Sequence, residues 1–83
     1  MQDICRKVYV KVNAEFTEDG RLRPKALTWE DGTTFEIDRI LEQRRAVSLK
    51  AGGVGIRYTC LINGHQSYLF YEENYRWFVE ART

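Results

Sequence analysis

Residues 56–71 carry the stretch IRYTCLINGHQSYLFY, in which Asn63-Gly64 separates two runs of strand-forming residues. Asn-Gly is the preferred centre of a two-residue type I′ turn, because both residues tolerate a positive φ. The turn fixes which residues face each other across the two strands. The predicted pairs are Ile62 with His65, Cys60 with Ser67, and Tyr58 with Leu69.

Four further turn signals divide the rest of the chain into short runs: Asp19-Gly20, Asp31-Gly32, Gly52-Gly53 and Glu73-Asn74. Apolar and polar residues alternate between most of them, as expected for half-buried strands. The clearest run puts Val8, Val10, Val12, Ala14 and Phe16 on one face, with Tyr9, Lys11, Asn13 and Glu15 on the other. The pattern predicts an all-β, mainly antiparallel fold.

The turn at Asp31-Gly32 can be tested for register. A two-residue loop would pair Trp29 with Thr34 and mix apolar and polar faces. A three-residue loop, Glu30-Asp31-Gly32, pairs Trp29 with Thr33 and places Leu27, Trp29, Phe35 and Ile37 on one face. We therefore predict a type I turn with Gly32 in the left-handed bulge position.

Two segments break the simple pattern. Pro24 cannot donate a ladder hydrogen bond, so it predicts a sheet edge or a bulge. Residues 38–51 have partial helical spacing, with Asp38 as a candidate cap and Gly52 as a stop. A strand to about Arg44 followed by a loop is the alternative, and both interpretations remain open.

Composition sets the size and class of the molecule. The 83 residues have 13 Lys and Arg against 12 Asp and Glu, a net charge of +1. We expect one small β domain, residues 1–83, that forms an SH3-like barrel or a strongly bent sheet of five to six strands. Because some strands are apolar on both faces, a homodimer is a candidate state.

The compartment is expected from two further features. No secretion signal or uncharged run of membrane-spanning length is seen, so we expect a cytoplasmic protein without a membrane contact. In the reducing cytoplasm the two cysteines, Cys5 and Cys60, are expected to be free thiols.

The basic segment between Arg39 and Arg57 is the best functional candidate. It has five cations against one acid, whereas the remainder of the chain has eight cations against eleven acids. This asymmetry could present a positive strip to phosphates, with Tyr58 or Trp77 stacking a base. The candidate nucleic-acid-binding residues are Arg39, Arg44, Arg45, Lys50, Arg57 and Tyr58; a solvated loop with ordinary ion pairs is the alternative.

The second candidate is a protein-interaction or assembly module. The aromatic residues Tyr71, Tyr75 and Trp77 could form an exposed patch for a peptide. Completion of a small core is the alternative role for these three side chains.

The sequence contains little that supports catalysis, and we expect that the protein is not an enzyme. His65 is the single histidine, and no spacing around Ser67 or Cys60 specifies a nucleophile elbow or an oxyanion hole. One histidine and two distant cysteines give no metal-ligand pair, so neither a metal nor a cofactor is expected. The glycines of residues 51–55 precede a strand rather than a helix, which favours a turn over a phosphate loop.

The chain also resembles a family of small, uncharacterised bacterial β-barrel proteins. The residues that carry the resemblance are Phe16-x-x-x-Gly20, Pro24, Trp29-Glu30-Asp31-Gly32, Phe35-x-Ile37, Arg57-Tyr58 and Arg76-Trp77-Phe78. The resemblance implies a compact bacterial, cytoplasmic β barrel of unknown role and no catalytic residues. Some similar proteins resemble accessory components near DNA-repair functions, which favours the nucleic-acid hypothesis.

Overall fold

The computed structural model describes residues 5–47, 54–72 and 74–82. Within them, seven strands form one antiparallel sheet that curls into a half-barrel, which confirms the all-β fold. The strands are β1 (Cys5–Phe16), β2 (Leu22–Thr28), β3 (Thr34–Glu36), β4 (Arg39–Val47), β5 (Val54–Ile62), β6 (His65–Tyr71) and β7 (Trp77–Arg82). Their order across the sheet is β3-β2-β1-β7-β6-β5-β4.

The connection between β3 and β4 explains why the sheet curls. These strands lie at opposite ends of the sheet, yet only Ile37 and Asp38 join them. The Ile37 amide donates to the Lys25 carbonyl at 2.9 Å, and the Asp38 amide donates to the Leu61 carbonyl at 2.8 Å. Such a short link can be made only if the two ends of the sheet approach each other there.

The inner, concave face holds the main core. Its buried cluster consists of Leu27, Tyr58, Cys60, Leu69 and Trp77, and residues of β1 and β3 pack against it. Leu27 lies on β2 and Tyr58 on β5, which are not neighbours in the sheet, so they meet across the inside of the curl. The Tyr58 hydroxyl crosses the same space and donates to the Leu22 carbonyl at 2.6 Å.

The outer, convex face is the side of the sheet turned away from this cluster, and it has an apolar layer of its own. Phe70 and Phe78 lie opposite each other on β6 and β7, stacked with ring centroids 4.8 Å apart, and both are buried. Lys7 places its ammonium 4.9 Å from the centre of the Phe78 ring. The Lys7 ammonium therefore contacts the outer aromatic layer through a cation–π interaction.

Both predicted turn registers are confirmed. Asn63 and Gly64 have φ of 51° and 76°, as a type I′ turn requires, and all three predicted pairs of this hairpin are present. At the other turn Leu27 pairs with Phe35, and the Trp29 amide donates to the Thr33 carbonyl at 2.8 Å. Gly32 has a φ of 89°, the left-handed conformation that the bulge needs.

The first strand follows the predicted alternation, with one difference at its end. Val8 is buried, while Val10, Val12 and Ala14 are half-buried and pack against the core cluster. Phe16 is 73% exposed, because it ends the strand at the tip of the β1–β2 hairpin, beyond the core. Pro24 lies beside a register shift and past the end of the short β3, in line with the predicted edge or bulge.

The ambiguous segment is extended rather than helical over residues 39–47, since β4 pairs with β5 along its length. Backbone pairing with a neighbouring strand thus overrides the partial helical spacing. The remainder of that segment, including the Gly52-Gly53 turn, falls outside the described residues. The sheet has one strand more than the five to six expected, counting the three-residue β3 as separate.

Candidate nucleic-acid interface

The basic segment divides between the two faces of the sheet. Arg44 pairs directly with Arg57, and Arg39 pairs with Leu61, which alternation along β5 places on the same face as Arg57. Arg45 pairs with Ile56, a residue that packs against the inner core, so it belongs to the other face. Lys50 lies outside the described residues. The outer face therefore collects Arg39, Arg44 and Arg57 but not Arg45.

Arg57 is the best-defined member of this group. Its guanidinium lies over the ring of Tyr68, 4.7 Å from the centroid, and one Nη donates to Glu42 at 3.5 Å. Its Nε is buried and has no hydrogen-bond partner among the described residues. The ring of Tyr68 and the carboxylate of Glu42 therefore hold the guanidinium of Arg57 in place.

Arg44 completes a like-charge pair with Arg57. The two residues are directly opposite on neighbouring strands, and Arg44 is exposed. Like charges directly opposite each other destabilise a sheet, so the pair is favoured when an anion lies beside it. Glu42 is the only acidic residue of β4, and it already contacts Arg57.

The predicted role of Tyr58 in base stacking is wrong. Its side chain is fully buried in the inner core, where it packs against Trp77 with ring centroids 5.6 Å apart. Burial, together with the nearby Tyr71 and Cys60, raises the pKa of the Tyr58 hydroxyl. Trp77 is 8% exposed and is excluded as a stacking platform for the same reason.

Two other aromatic side chains, which were not among the candidates from the sequence, are exposed on the outer face. Tyr68 is 43% exposed under Arg57, and Tyr9 is 38% exposed under Arg76, whose guanidinium carbon lies 3.5 Å from the ring centroid. The register set by Asn63-Gly64 puts Phe70 opposite Arg57 and Tyr68 two residues away on the same face. The contact between Arg57 and Tyr68 could therefore have been predicted from the sequence.

The β1–β7 side of the outer face is occupied by its own ion pairs. Glu72 accepts hydrogen bonds from the Tyr9 hydroxyl at 2.5 Å and from the Lys7 ammonium at 3.2 Å. The Tyr9 hydrogen bond and the Lys7 charge lower the pKa of the Glu72 carboxyl. This carboxylate offsets the charge of Lys7, as Glu42 offsets that of Arg57 at the β4–β5 end, where Arg39 and Arg44 add two further cations to the outer face.

The three residues of the alternative interaction patch do not lie together on the surface. Trp77 is buried and Tyr71 is half-buried, with their ring centroids 4.8 Å apart in the inner core. Tyr75 is 89% exposed and has a φ of 68°, in the turn that the Glu72 amide closes on the Arg76 carbonyl. The patch reduces to this single tyrosine.

Two residues considered for catalysis, Cys60 and His65, lie in different environments. Cys60 is a free, buried thiol, and burial raises its pKa to about 11, which opposes formation of the nucleophilic thiolate. His65 is exposed beside the hairpin turn. In the part of the chain that the structure describes, no cluster of three or more histidine, cysteine or acidic side chains could hold a metal ion.

The same described residues contain no helix with the length and apolar character needed to cross a membrane. Comparisons with models of protein families, with curated proteins and with solved structures gave no match to this chain. The candidate site consists of a like-charge arginine pair, one arginine of which lies over an exposed tyrosine ring.

Proposed function

We propose that this protein is a non-catalytic binding module whose outer face binds single-stranded nucleic acid. The observation that carries the proposal is the group formed by Arg44, Arg57 and Tyr68, in which two opposed cations lie beside an exposed aromatic ring. Proteins that bind single strands combine cations for the phosphates with aromatic side chains for the bases.

The arginines of this group suit phosphate. A guanidinium presents a planar fork of donors that matches phosphate oxygens, and a phosphate beside Arg44 and Arg57 relieves their mutual repulsion. Arg39 lies on the same face of β4, five residues before Arg44. Their cross-strand partners, Leu61 and Arg57, are four residues apart on β5 because β4 has a bulge at Leu41. At about 3.3 Å per residue the two arginines are roughly 13 Å apart, so the three cations span more than one nucleotide.

The tyrosine supplies the contact with a base. Tyr68 is 43% exposed and carries the Arg57 guanidinium over its ring, so a base can stack on the exposed part of the ring or on the guanidinium plane. Such stacking is sequence-tolerant, because every base has an aromatic face. The proposal is therefore for binding with little sequence preference.

The proposal is tested by titrating a fluorescein-labelled oligothymidylate of about 12 nucleotides and following its anisotropy. With three arginine–phosphate contacts, the logarithm of the association constant should fall with the logarithm of salt concentration with a slope of about −2. Arg44→Gln should weaken binding and make that slope less steep by about 0.7. Lys25→Gln, which removes an exposed charge at the other end of the sheet, should change neither quantity.

Stacking is tested separately with a matched pair of variants. Tyr68→Leu should lower affinity at least fivefold, whereas Tyr68→Phe, which keeps the ring, should bind like the wild type. Absence of any anisotropy change at low salt would rule out the proposal. Equal losses of affinity in Arg44→Gln and Lys25→Gln would show that binding is non-specific electrostatic attraction rather than binding at the Arg44 group.

A protein-interaction module is the alternative function, and Tyr75 is the observation that favours it. A large aromatic side chain that is 89% exposed, on a backbone that L-residues rarely adopt, is typical of a contact residue. Tyr75→Ser shows in the same titration whether Tyr75 contributes to oligonucleotide binding. Wild-type affinity for the oligonucleotide is expected if the Arg44 group binds it, and a loss would instead assign that contact to Tyr75.

A further inference from the structure

β4 has a free edge that plays no part in the proposed function. Among the described residues, β4 pairs only with β5, so its other edge has no strand beside it there. Residues 40–43 line a groove of about 420 Å³ together with Thr17, Asp19, Arg21 and Arg23. An unpaired edge offers a row of backbone donors and acceptors to another strand.

We infer that this edge pairs with the β4 edge of a second copy of the chain, antiparallel and about a two-fold axis at Gln43. Directly opposite residues of antiparallel strands place their side chains on the same face. With the axis at Gln43, Glu42 of each copy therefore lies opposite Arg44 of the other. The two-fold symmetry makes this ion pair twice.

Charge pairing favours the axis at Gln43 over an axis at Glu42 or at Arg44. An axis at Glu42 would place the two Glu42 side chains opposite each other, and an axis at Arg44 would do the same with the two arginines. Both residues are exposed on the outer face, so their partners across the edge can reach them. The axis at Gln43 is the one of these three that opposes unlike charges, which stabilises cross-strand pairs.

The like-charge pair within one copy points to the same arrangement. Arg44 faces Arg57 across β4 and β5, so a carboxylate on its free side offsets a repulsion already present in the monomer. A strand of another protein that has no acidic residue opposite Arg44 would form no ion pair with it, and the Arg44 charge would remain uncompensated. The pattern thus favours self-pairing and disfavours other strands.

The inferred dimer does not depend on nucleic-acid binding, and its test contains no nucleic acid. Sedimentation velocity should give wild-type protein a mass of about twice the 9.8 kDa of one chain. Glu42→Arg and Arg44→Glu should each raise the dissociation constant about tenfold, because each places two pairs of like charges together. The double variant, Glu42→Arg with Arg44→Glu, should restore the dimer, and Lys11→Glu on central β1 should leave it unchanged.

A cross-link tests the register even if a charge variant fails to fold. Opposite residues on paired strands have Cβ atoms about 4.5–5.5 Å apart, close to what a disulfide needs. In a Cys5→Ser background, Gln43→Cys should form a disulfide-linked dimer on mild oxidation, whereas Gln66→Cys, exposed on β6, should not.

Three results would overturn the inference. They are a wild-type monomer at every concentration tested, single charge variants that remain dimers, and equal cross-linking at positions 43 and 66.

Discussion

At the scale of single residues, Arg57 links the structure of the outer face to its proposed role. It lies opposite the buried Phe70, covers the ring of Tyr68 and contacts Glu42. The stem of an arginine can cover an aromatic layer while its guanidinium stays available to an anion. One side chain thus serves both packing and the candidate site, which is why Arg44 is the better position for a binding test.

Gly55 is the residue at which a small change should be most damaging. It is buried, and a Cβ there would lie 2.0 Å from the Tyr71 carbonyl oxygen, a backbone atom that cannot move aside cheaply. Gly55→Ala should therefore lower the free energy of unfolding by about 1–3 kcal/mol or more, measured by urea denaturation. Gly20→Ala is the control, because its Cβ would meet nothing within 4 Å. Its only destabilisation should come from placing alanine at a positive φ, which costs about 1 kcal/mol. A smaller loss at Gly55 than at Gly20 would contradict the packing described.

At the scale of elements, the hairpins could be predicted because their chemistry is local. Asn63-Gly64 and Gly32 fix their turns through φ alone, and alternation then sets each register. The structure of residues 39–47 could not be decided in the same way. That segment is a strand because β5, whose first residue is seven positions beyond Val47, pairs with it, and the Gly52-Gly53 turn signal between them defines neither a loop length nor a register.

At the same scale, Asp38 anchors the β3–β4 link to the neighbouring β5–β6 turn. Its carboxylate accepts a hydrogen bond from the Asn63 amide at 3.0 Å, joining the β3–β4 link to the β5–β6 turn. Asp38→Ala should destabilise the fold by about 1 kcal/mol, whereas Asp38→Asn retains an acceptor oxygen and should lose less. Thermal unfolding of the two variants checks this, and equal midpoints for Ala and Asn would show that the side-chain acceptor contributes nothing.

At the scale of the whole molecule, curling decides which aromatic side chains are available. Tyr58 and Trp77 are candidates for base stacking in the sequence, with a core role as the alternative for Trp77, because alternation along a strand defines two faces without showing which one becomes concave. Curling turns their face inward and leaves Tyr68 and Tyr9 outside. The position of the candidate site therefore depends on contacts between distant strands, and the sequence pattern alone could not place it.

The Tyr58 hydroxyl tests this curled arrangement, since it joins β5 to β2 across the inside. Tyr58→Phe removes the 2.6 Å hydrogen bond and leaves the Leu22 carbonyl without that donor. The free energy of unfolding should fall by about 1–3 kcal/mol, which corresponds to roughly 4–8 °C in Tm per kcal/mol for a domain of this size. Tyr68→Phe, which changes an exposed hydroxyl, should stay within about 0.5 kcal/mol of the wild type. If both variants unfold at the same temperature, β5 and β2 are not joined in this way.

The central claim is that the outer face at the β4–β5 end binds a single nucleic-acid strand. The most direct measurement is the change in backbone amide shifts of ¹⁵N-labelled protein during titration with oligothymidylate at low salt. The account predicts that the largest changes occur at Arg44, Arg57 and Tyr68, with small changes at inner-face residues such as Leu27 and Val12. Largest changes at the inner face or along the groove of Arg21 and Arg23, or no changes at all, would contradict it.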